Sequence, residues 1–255
     1  MRFDTYIPTD RLKPWVESFA VQETGAESLY KVLPGTGLVI GFQFRGRLSR
    51  IEDEKTIALS TAGITGLNDS FRIFKNEANT GTVLVFFKEA GAAAFFKQPL
   101  HELFRESISL DNFMLRSELL IIEEQLCEAK DDAGRIKVVE QFLTARLIQA
   151  VPDTMVLKAL ALIHKTRGII TIKELMKELH TSQSPLEKRF RQAVGTSPKK
   201  FASIVRLKHL IEQYKPGDTL TGLGYEAGFY DQAHFIKEFK IFTGETPGNF
   251  FGSMK

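Results

Sequence analysis

The sequence predicts an α+β chain in two parts. Residues 1–150 form a β-rich N-terminal part ending in a helical hairpin, and residues 151–255 an all-α part of two helix-turn-helix units joined by a long helix. Three observations carry this reading. Short runs rich in Val, Ile and Phe, punctuated by Gly, Asn, Asp and Thr, fill the first hundred residues, as strands and turns do. Beyond them the apolar residues recur at three- and four-residue spacing, the period of a helix with one buried face. In the last hundred residues one pattern of caps, apolar pairs and breakers occurs twice.

The expected strands are Trp15–Val21, Leu38–Phe44, Ser70–Phe74 and Thr82–Phe87, with turns at Pro34-Gly35-Thr36-Gly37 and Asn68-Asp69. From about Glu89 the pattern becomes helical. Leu115, Leu119, Ile122 and Leu126 form one stripe over Leu115–Lys130, and Asp131 can cap a second helix presenting Ile136, Val139, Leu143 and Leu147. The tight link between them makes an antiparallel hairpin, either a cover for the β part or a contact with a second copy of the chain. At Val151-Pro152-Asp153 the proline disfavours helix in the residue before it and Asp153 can cap the next helix, so the junction is expected near 150.

Next comes a helix over Thr154–Lys165, stopped by Gly168. Thr171 opens a second, with Glu174 three residues on completing a capping box. A turn over His180–Ser182 leads into a helix that holds Leu186, Phe190 and Val194 and ends at Gly195. Ser197 caps and Pro198 starts a long helix, broken by Pro216-Gly217. Helices from Thr219 to Ala227 and from Asp231 to Gly244 then repeat the earlier pair about 49 residues on. Each unit is a short helix, a turn and a helix with an apolar-x3-Phe pair, Leu186/Phe190 and then Phe235/Phe239. Each closes in Gly followed by Ser-Pro or Thr-Pro, at Gly195-Thr196-Ser197-Pro198 and Gly244-Glu245-Thr246-Pro247. This is helix-turn-helix shape. The joining helix, roughly 17 residues at about 1.5 Å each, is about 25 Å long. It can hold two recognition helices in successive major-groove segments about 34 Å apart.

A chain of 255 residues suffices for two cores, and 43% apolar with 25% charged residues is ordinary for a globular protein. Runs such as Thr82–Phe87 and Ala90–Phe96 are far shorter than the roughly 20 residues that span a bilayer, so no membrane partner is expected. The N-terminal residues show no secretion signal. The lone cysteine, Cys127, excludes an internal disulfide, lies on an apolar helical face and suits a reducing compartment; the expected location is cytoplasmic. Charge is uneven. Residues 153–255 carry 16 Lys and Arg against 10 Asp and Glu, residues 1–152 carry 18 against 21. A basic part joined to a mildly acidic one fits a nucleic-acid-binding domain attached to something else. Lys188, Arg189 and Arg191 on one helix, Lys199 and Lys200 at the start of the joining helix, and Lys237 and Lys240 on another are placed to meet phosphates.

These residues resemble a known family. Residues 172–251 are similar to the C-terminal domain of the AraC/XylS transcription regulators. The likeness rests on Gly228-Phe229-Tyr230-Asp231-Gln232-Ala233-His234-Phe235, on Phe239-Lys240 and on Thr243-Gly244-Glu245-Thr246-Pro247. In the first unit it rests on Ile172, Leu175, Ser182, Leu186, Phe190, Gly195, Ser197-Pro198 and Arg206-Leu207. Leu33-Pro34-Gly35 and Pro99-Leu100-His101-Glu102-Leu103 look like the N-terminal domains of one branch of that family.

The resemblance implies duplex DNA as the partner, with Ser184, Lys188, Gln232, Ala233 and Lys237 facing bases. Gln suits adenine, Lys suits guanine and Ala suits a thymine methyl. Ser182 and Asp231 are expected as helix caps, with Ser182 also within reach of a phosphate; Gln183, Arg191, Ser197 and Lys199 are expected at phosphates. Ser184 has an alternative role, capping its helix with Pro185 at the first position and Glu187 completing a box. His180 stands where the family has Gly, Lys188 where it has Arg, and Gly222 and Gly224 weaken their helix by about 1 kcal/mol each against Ala. RNA polymerase, a small-molecule effector bound by the N-terminal part and a second copy of the chain are further candidate partners.

An enzyme is not expected. His101, His164, His180, His209 and His234 are scattered singly without metal-ligand spacing. Glu52-Asp53-Glu54 and Glu123-Glu124 read as solvated charge, and Gly35-x-Gly37 lacks the setting of a phosphate loop. No catalytic residue, cofactor or metal is assigned. Trp15, Phe42, Phe44 and Phe86 are candidates for the lining of an effector pocket, with ordinary core as the alternative.

Overall fold

A computed structural model describes residues 1–148 and 152–253. Each of the four runs expected as strands is one, at β2 (Val16–Thr24), β4 (Val39–Arg45), β8 (Arg72–Asn76) and β9 (Thr80–Phe87). Six further strands complete the β-rich part: β1 (Arg2–Tyr6), β3 (Ser28–Val32), β5 (Leu48–Glu52), β6 (Lys55–Ala58), β7 (Ala62–Thr65) and β10 (Ser107–Ser109). They pair antiparallel into a six-stranded sheet, β1-β2-β9-β4-β7-β10, and a four-stranded sheet, β3-β8-β5-β6.

Strand alternation sorts the larger sheet into two faces. In β4, Ile40, Phe42 and Phe44 are buried on the outer face, while Val39, Gly41 and Gln43 line a cavity between the sheets. In β9, Val83 and Val85 face outward, and Thr82, Leu84 and Phe86 face the cavity. Of the four aromatic residues considered for a pocket, only Phe86 lines it. Phe42 and Phe44 are on the wrong parity of β4, and Trp15 packs against the core ahead of β2.

The helical hairpin covers that outer face. α1 (Arg116–Glu128) and α2 (Asp132–Arg146) bury Leu119, Ile122, Leu126, Ile136, Val139 and Leu143. Asp131 caps α2 by accepting the Gly134 N–H at 2.8 Å. Phe142 meets Phe42 edge-on at 5.5 Å between centroids, and the Arg135 guanidinium lies 4.2 Å over Phe44. Leu115 precedes the first turn of α1 and is 69% exposed. Cys127 is exposed and its thiol donates to the Phe44 carbonyl, so it is not the core residue expected. The helix expected from Glu89 is also absent. Ala90 takes a left-handed φ of 59° and Gly91 lies against the Trp15 carbonyl, so the chain makes only short 3₁₀ turns, over Gly91–Ala94 and Leu100–Leu103, before β10.

The C-terminal elements are α3 (Thr154–Lys165), α4 (Ile172–Glu178), α5 (Gln183–Val194), α6 (Pro198–Gln213), α7 (Leu220–Glu226), α8 (Gln232–Thr243) and α9 (Pro247–Gly252). The punctuation works as written. Asp153 accepts the Met155 and Val156 N–H groups. Thr171 and Glu174 form the full capping box. The repeat is visible cap by cap. Thr171 and Thr219 cap the first helices, Ser182 and Asp231 begin the second, and Ser197-Pro198 and Thr246-Pro247 start the helix after each unit. Gly195 and Gly244 end the second helices at φ 95° and 84°, a conformation that costs an L side chain about 1–2 kcal/mol.

The expected junction near 150, at Val151, lies outside the described residues. The two units sit differently in the molecule. One buried cluster runs from Phe42 and Leu100 through Leu160 and Leu175 to Leu186, Phe190 and Phe201, so the first unit shares its core with the β-rich part. A second cluster, Ile204, Leu207, Phe235, Phe239 and Phe251, belongs to the second unit. α6 contributes one side to each.

Candidate nucleic-acid interface

Each unit holds its second helix by one face and presents the other. In α5 the held residues are Leu186, Phe190 and Val194; in α8 they are Phe235, Phe239 and Phe242. With the caps Ser182 and Asp231 aligned, the presented residues coincide in type at an offset of 49: Gln183 with Gln232, Lys188 with Lys237, Arg191 with Lys240. All six are exposed. Among the described residues Lys188, Lys237, Lys240 and Lys199 form no ion pair. Arg191 has only a loose contact of 3.6 Å to Glu187.

The structure resolves the alternatives for the serines. Ser182 precedes α5 but its hydroxyl makes no capping bond, so it stays exposed. Ser184 lies inside the helix, exposed at the position that corresponds to Ala233, and is not the cap. Pro185 occupies the third helical position, where a backbone N–H has no intrahelical partner to lose. Glu187 accepts the Gln183 side-chain amide at 2.8 Å. Asp231 accepts the His234 N–H at 2.8 Å, and the Ser197 hydroxyl accepts the Lys200 N–H at 3.3 Å; both oxygens act as caps.

Two of the basic residues expected at phosphates are committed elsewhere. Arg189 grips Asp153 with two bonds of 2.6 Å, tying α5 to the start of α3. Lys200 pairs with Asp69, which also takes Arg105 at 2.7 and 2.9 Å. Burial raises the Asp69 carboxyl, but the bonds from Arg105 and Lys200 outweigh it and hold the group below its usual range. His234 is drawn into a bracket between α8 and α6. Its Nε2 is 3.2 Å from Glu238, which also accepts from Arg206 at 2.8 Å, and Arg206 lies 4.0 Å over Phe229. One exposed residue was missing from the candidates: Tyr230, 94% exposed in the turn of the second unit. Its signal was its place within the Gly228–Phe235 stretch.

Behind this surface is the cavity between the sheets, about 810 Å³. Its wall reaches the second unit. Lys208 of α6 lines it, as do Val32 and Leu33 at the end of β3, and Leu33 also packs on the core of that unit. Nearby, Lys31 pairs with Glu245 at 2.5 Å, and the Phe71 ring lies against Gly244.

Residues 175–253 match the family described as a helix-turn-helix domain. The C-terminal part of the chain carries a helix-turn-helix domain. Residues 4–109 match a domain of unknown function, DUF6597. The chain is similar to uncharacterized HTH-type transcriptional regulators of Staphylococcus aureus, strains MSSA476 and MRSA252 among them, at 29% identity over 84 residues. That match covers 32% of this chain and 11% of each relative, so the chain spans a small share of their length. Among solved structures, the chain is similar to ToxT from Vibrio cholerae, with a TM-score of 0.46 and 11% identity over 99% of this chain and 98% of that one. The AraC-like transcriptional activator CuxR gives 0.32 and 16%, over 88% and 91%. Both likenesses are distant. Both α5 and α8 lie within the residues that match the helix-turn-helix domain.

Proposed function

We propose that this protein is a sequence-specific transcription regulator that binds duplex DNA through both helix-turn-helix units, with α5 and α8 in successive major-groove segments. The observation that carries the reading is the matched, exposed set Gln183/Gln232, Lys188/Lys237 and Arg191/Lys240 on α5 and α8. Gln232, Lys188 and Lys237 supply base-edge donors, Ser184 and Ala233 are small enough to let each helix approach a groove, and Gln183 is assigned to a phosphate. Arg191, Lys240, Lys199 and the Ser182 hydroxyl are placed for phosphates.

We further propose that the N-terminal part senses a small molecule. The cavity has the size of a ligand site, and part of its wall is the surface that touches the second unit. A ligand that favours one seating of Leu33 against that unit over another shifts DNA affinity by the same coupling.

Selection of bound sequences from a random duplex library tests the first proposal, with affinities for the winner measured at several salt concentrations. Two short motifs about one helical turn apart are expected, with Lys188→Ala and Lys237→Ala each relaxing a different one by about 1–3 kcal/mol. Binding without any motif, and equally weak for both variants, sinks it.

A further inference from the structure

The inner face of the four-stranded sheet carries two arginines into the cavity, Arg50 on β5 and Arg72 on β8. Arg50 pairs across the strands with Phe74, so Arg72, two residues before Phe74, is its diagonal neighbour. Their bonding is incomplete. Arg72 is 9% exposed, and among the described residues its five donors make one hydrogen bond, from Nη1 to Ser107 Oγ at 2.8 Å. Ser107 is itself held by Thr65 Oγ1 at 3.0 Å. Arg50 pairs with Glu52 at 2.6 Å through Nη2, but its Nε is buried with no partner.

The other buried side-chain nitrogens without partners do not match this. Arg135 and Arg206 belong to guanidinia that already hold a carboxylate and lie over a phenyl ring, and His209 does not line the cavity. Burial pushes the Arg72 guanidinium down to about 10, and the like charge of Arg50 adds to the shift against a weaker pull from Glu106 and Glu52. A buried cation with no counter-ion is held at the expense of the fold, the usual mark of a group kept for a ligand.

We propose that the cavity binds an organic monoanion with an apolar body, its carboxylate-like head taken by Arg72 and Arg50 and its body by the walls of Tyr30, Phe74, Leu84 and Phe86. Glu52 already answers Arg50 and Lys208 lies 3.9 Å from Glu212, so Arg72 is the side-chain cation of the cavity wall without an ion pair among the described residues, which suits a ligand with a single negative charge. A guanidinium presents its donors in a planar fork that fits a carboxylate. Ser107 is a positioning residue that holds the fork. This assignment rests on the reading of the N-terminal part as a sensor.

The test is calorimetry on the full chain with 4-phenylbutyrate and octanoate, each against its neutral amide, and with acetate. Each carboxylate is expected to bind at least tenfold more tightly than its amide, and acetate not measurably. Arg72→Met removes that preference while amide binding stays, and Arg72→Lys restores part of it. A merely structural arginine predicts the reverse of a further readout: ligand-free Arg72→Met, relieved of a buried charge, melts higher than wild type. Equal binding of carboxylate and amide, unchanged in Arg72→Met, overturns the anion site and leaves the sensor reading standing. No binding of any of these probes at millimolar concentration overturns both. Leu84→Trp, which fills the cavity, must abolish binding of acid and amide alike; if binding persists, the site lies elsewhere and the proposal fails.

Discussion

At the scale of single residues, the two turns of the helix-turn-helix domain answer one geometric demand differently. Both need a left-handed residue two positions after the first helix. The second unit has Gly228 there, at φ 74°, and the first has His180, at φ 49° and exposed. A non-glycine residue in that region carries about 1–2 kcal/mol of strain, while glycine loses about 0.4–1 kcal/mol through the freedom of the unfolded chain. His180→Gly should therefore raise stability by about 0.5–1 kcal/mol in urea unfolding, leaving DNA affinity alone. Gly228→Ala should cost about 1–2 kcal/mol, because a Cβ there also comes to 3.1 Å from Ile169. If the histidine proves the more stabilising residue, the strain argument is wrong. The exposed faces of α5 and α8 were legible in the sequence because the caps fix the phase of each helix. The commitments of Arg189 and Lys200 were not, since their partners lie 36 and 131 positions away.

At the scale of elements, the repeat shows which differences between the units matter. α4 has its complete capping box, whereas α7 has Thr219 but Gly222 where Glu174 stands. A Cβ at Gly222 would come to 2.9 Å from the Thr219 hydroxyl, a side-chain end that can shift as Thr171 does beside Glu174, where the cap stays in place at 3.2 Å. Gly222→Glu is expected to stabilise by about 1 kcal/mol, from helix propensity and the restored box. Gly224 is different: a Cβ there meets the Phe235 ring at 3.2 Å, in the core of the second unit. Gly224→Ala should give no gain, or a loss, because a packed ring has to move. A gain of similar size at both positions rules out this packing argument.

Strand legibility followed the same logic. Strands with a buried outer face announce themselves by alternation, as β4 and β9 do. The β5–β6 hairpin did not, because its turn is Asp53-Glu54, both at positive φ, in place of the Asn-Gly that usually marks such a turn. β1 and β3 are exposed over most of their length and carry little pattern. The cavity was hidden for a related reason: its floor is made of small and polar positions such as Gly41, Gln43 and Gly63, which read as solvent-facing.

At the scale of the whole molecule, carboxylates join the β-rich part to the helices. Asp69 holds Lys200, and Glu89 meets His164 Nε2 at 3.1 Å. In both, burial pushes the carboxyl up and the hydrogen bonds pull it further down, so both lie below their ordinary values. A carboxylate depressed in the folded state stabilises it fully above the unfolded value, about 3.9 for Asp and 4.3 for Glu, and that contribution fades as pH falls through the folded value. Wild type should therefore lose more stability between about pH 5 and pH 3 than Asp69→Asn does. The difference should be about 0.5–1 kcal/mol, because Lys200 and Arg105 are both well exposed. Parallel pH profiles for the two proteins show that Asp69 is no clasp.

The joining helix also decides how two weak contacts combine. α6 has 16 residues, about 24 Å of rod, with α5 packed on its first turn through Phe190 and Phe201 and α8 bonded to it at Ser203 and Arg206. In the proposed complex, once α5 is seated, α8 meets its groove at an effective concentration set by that rod, in the millimolar range or above, rather than at the dilution of the free protein. The two affinities then multiply instead of adding. A DNA site that lacks one half, or presents it on the wrong side of the double helix, forfeits the whole multiplying factor, so a rigid helix serves as a ruler that rejects sites by their spacing.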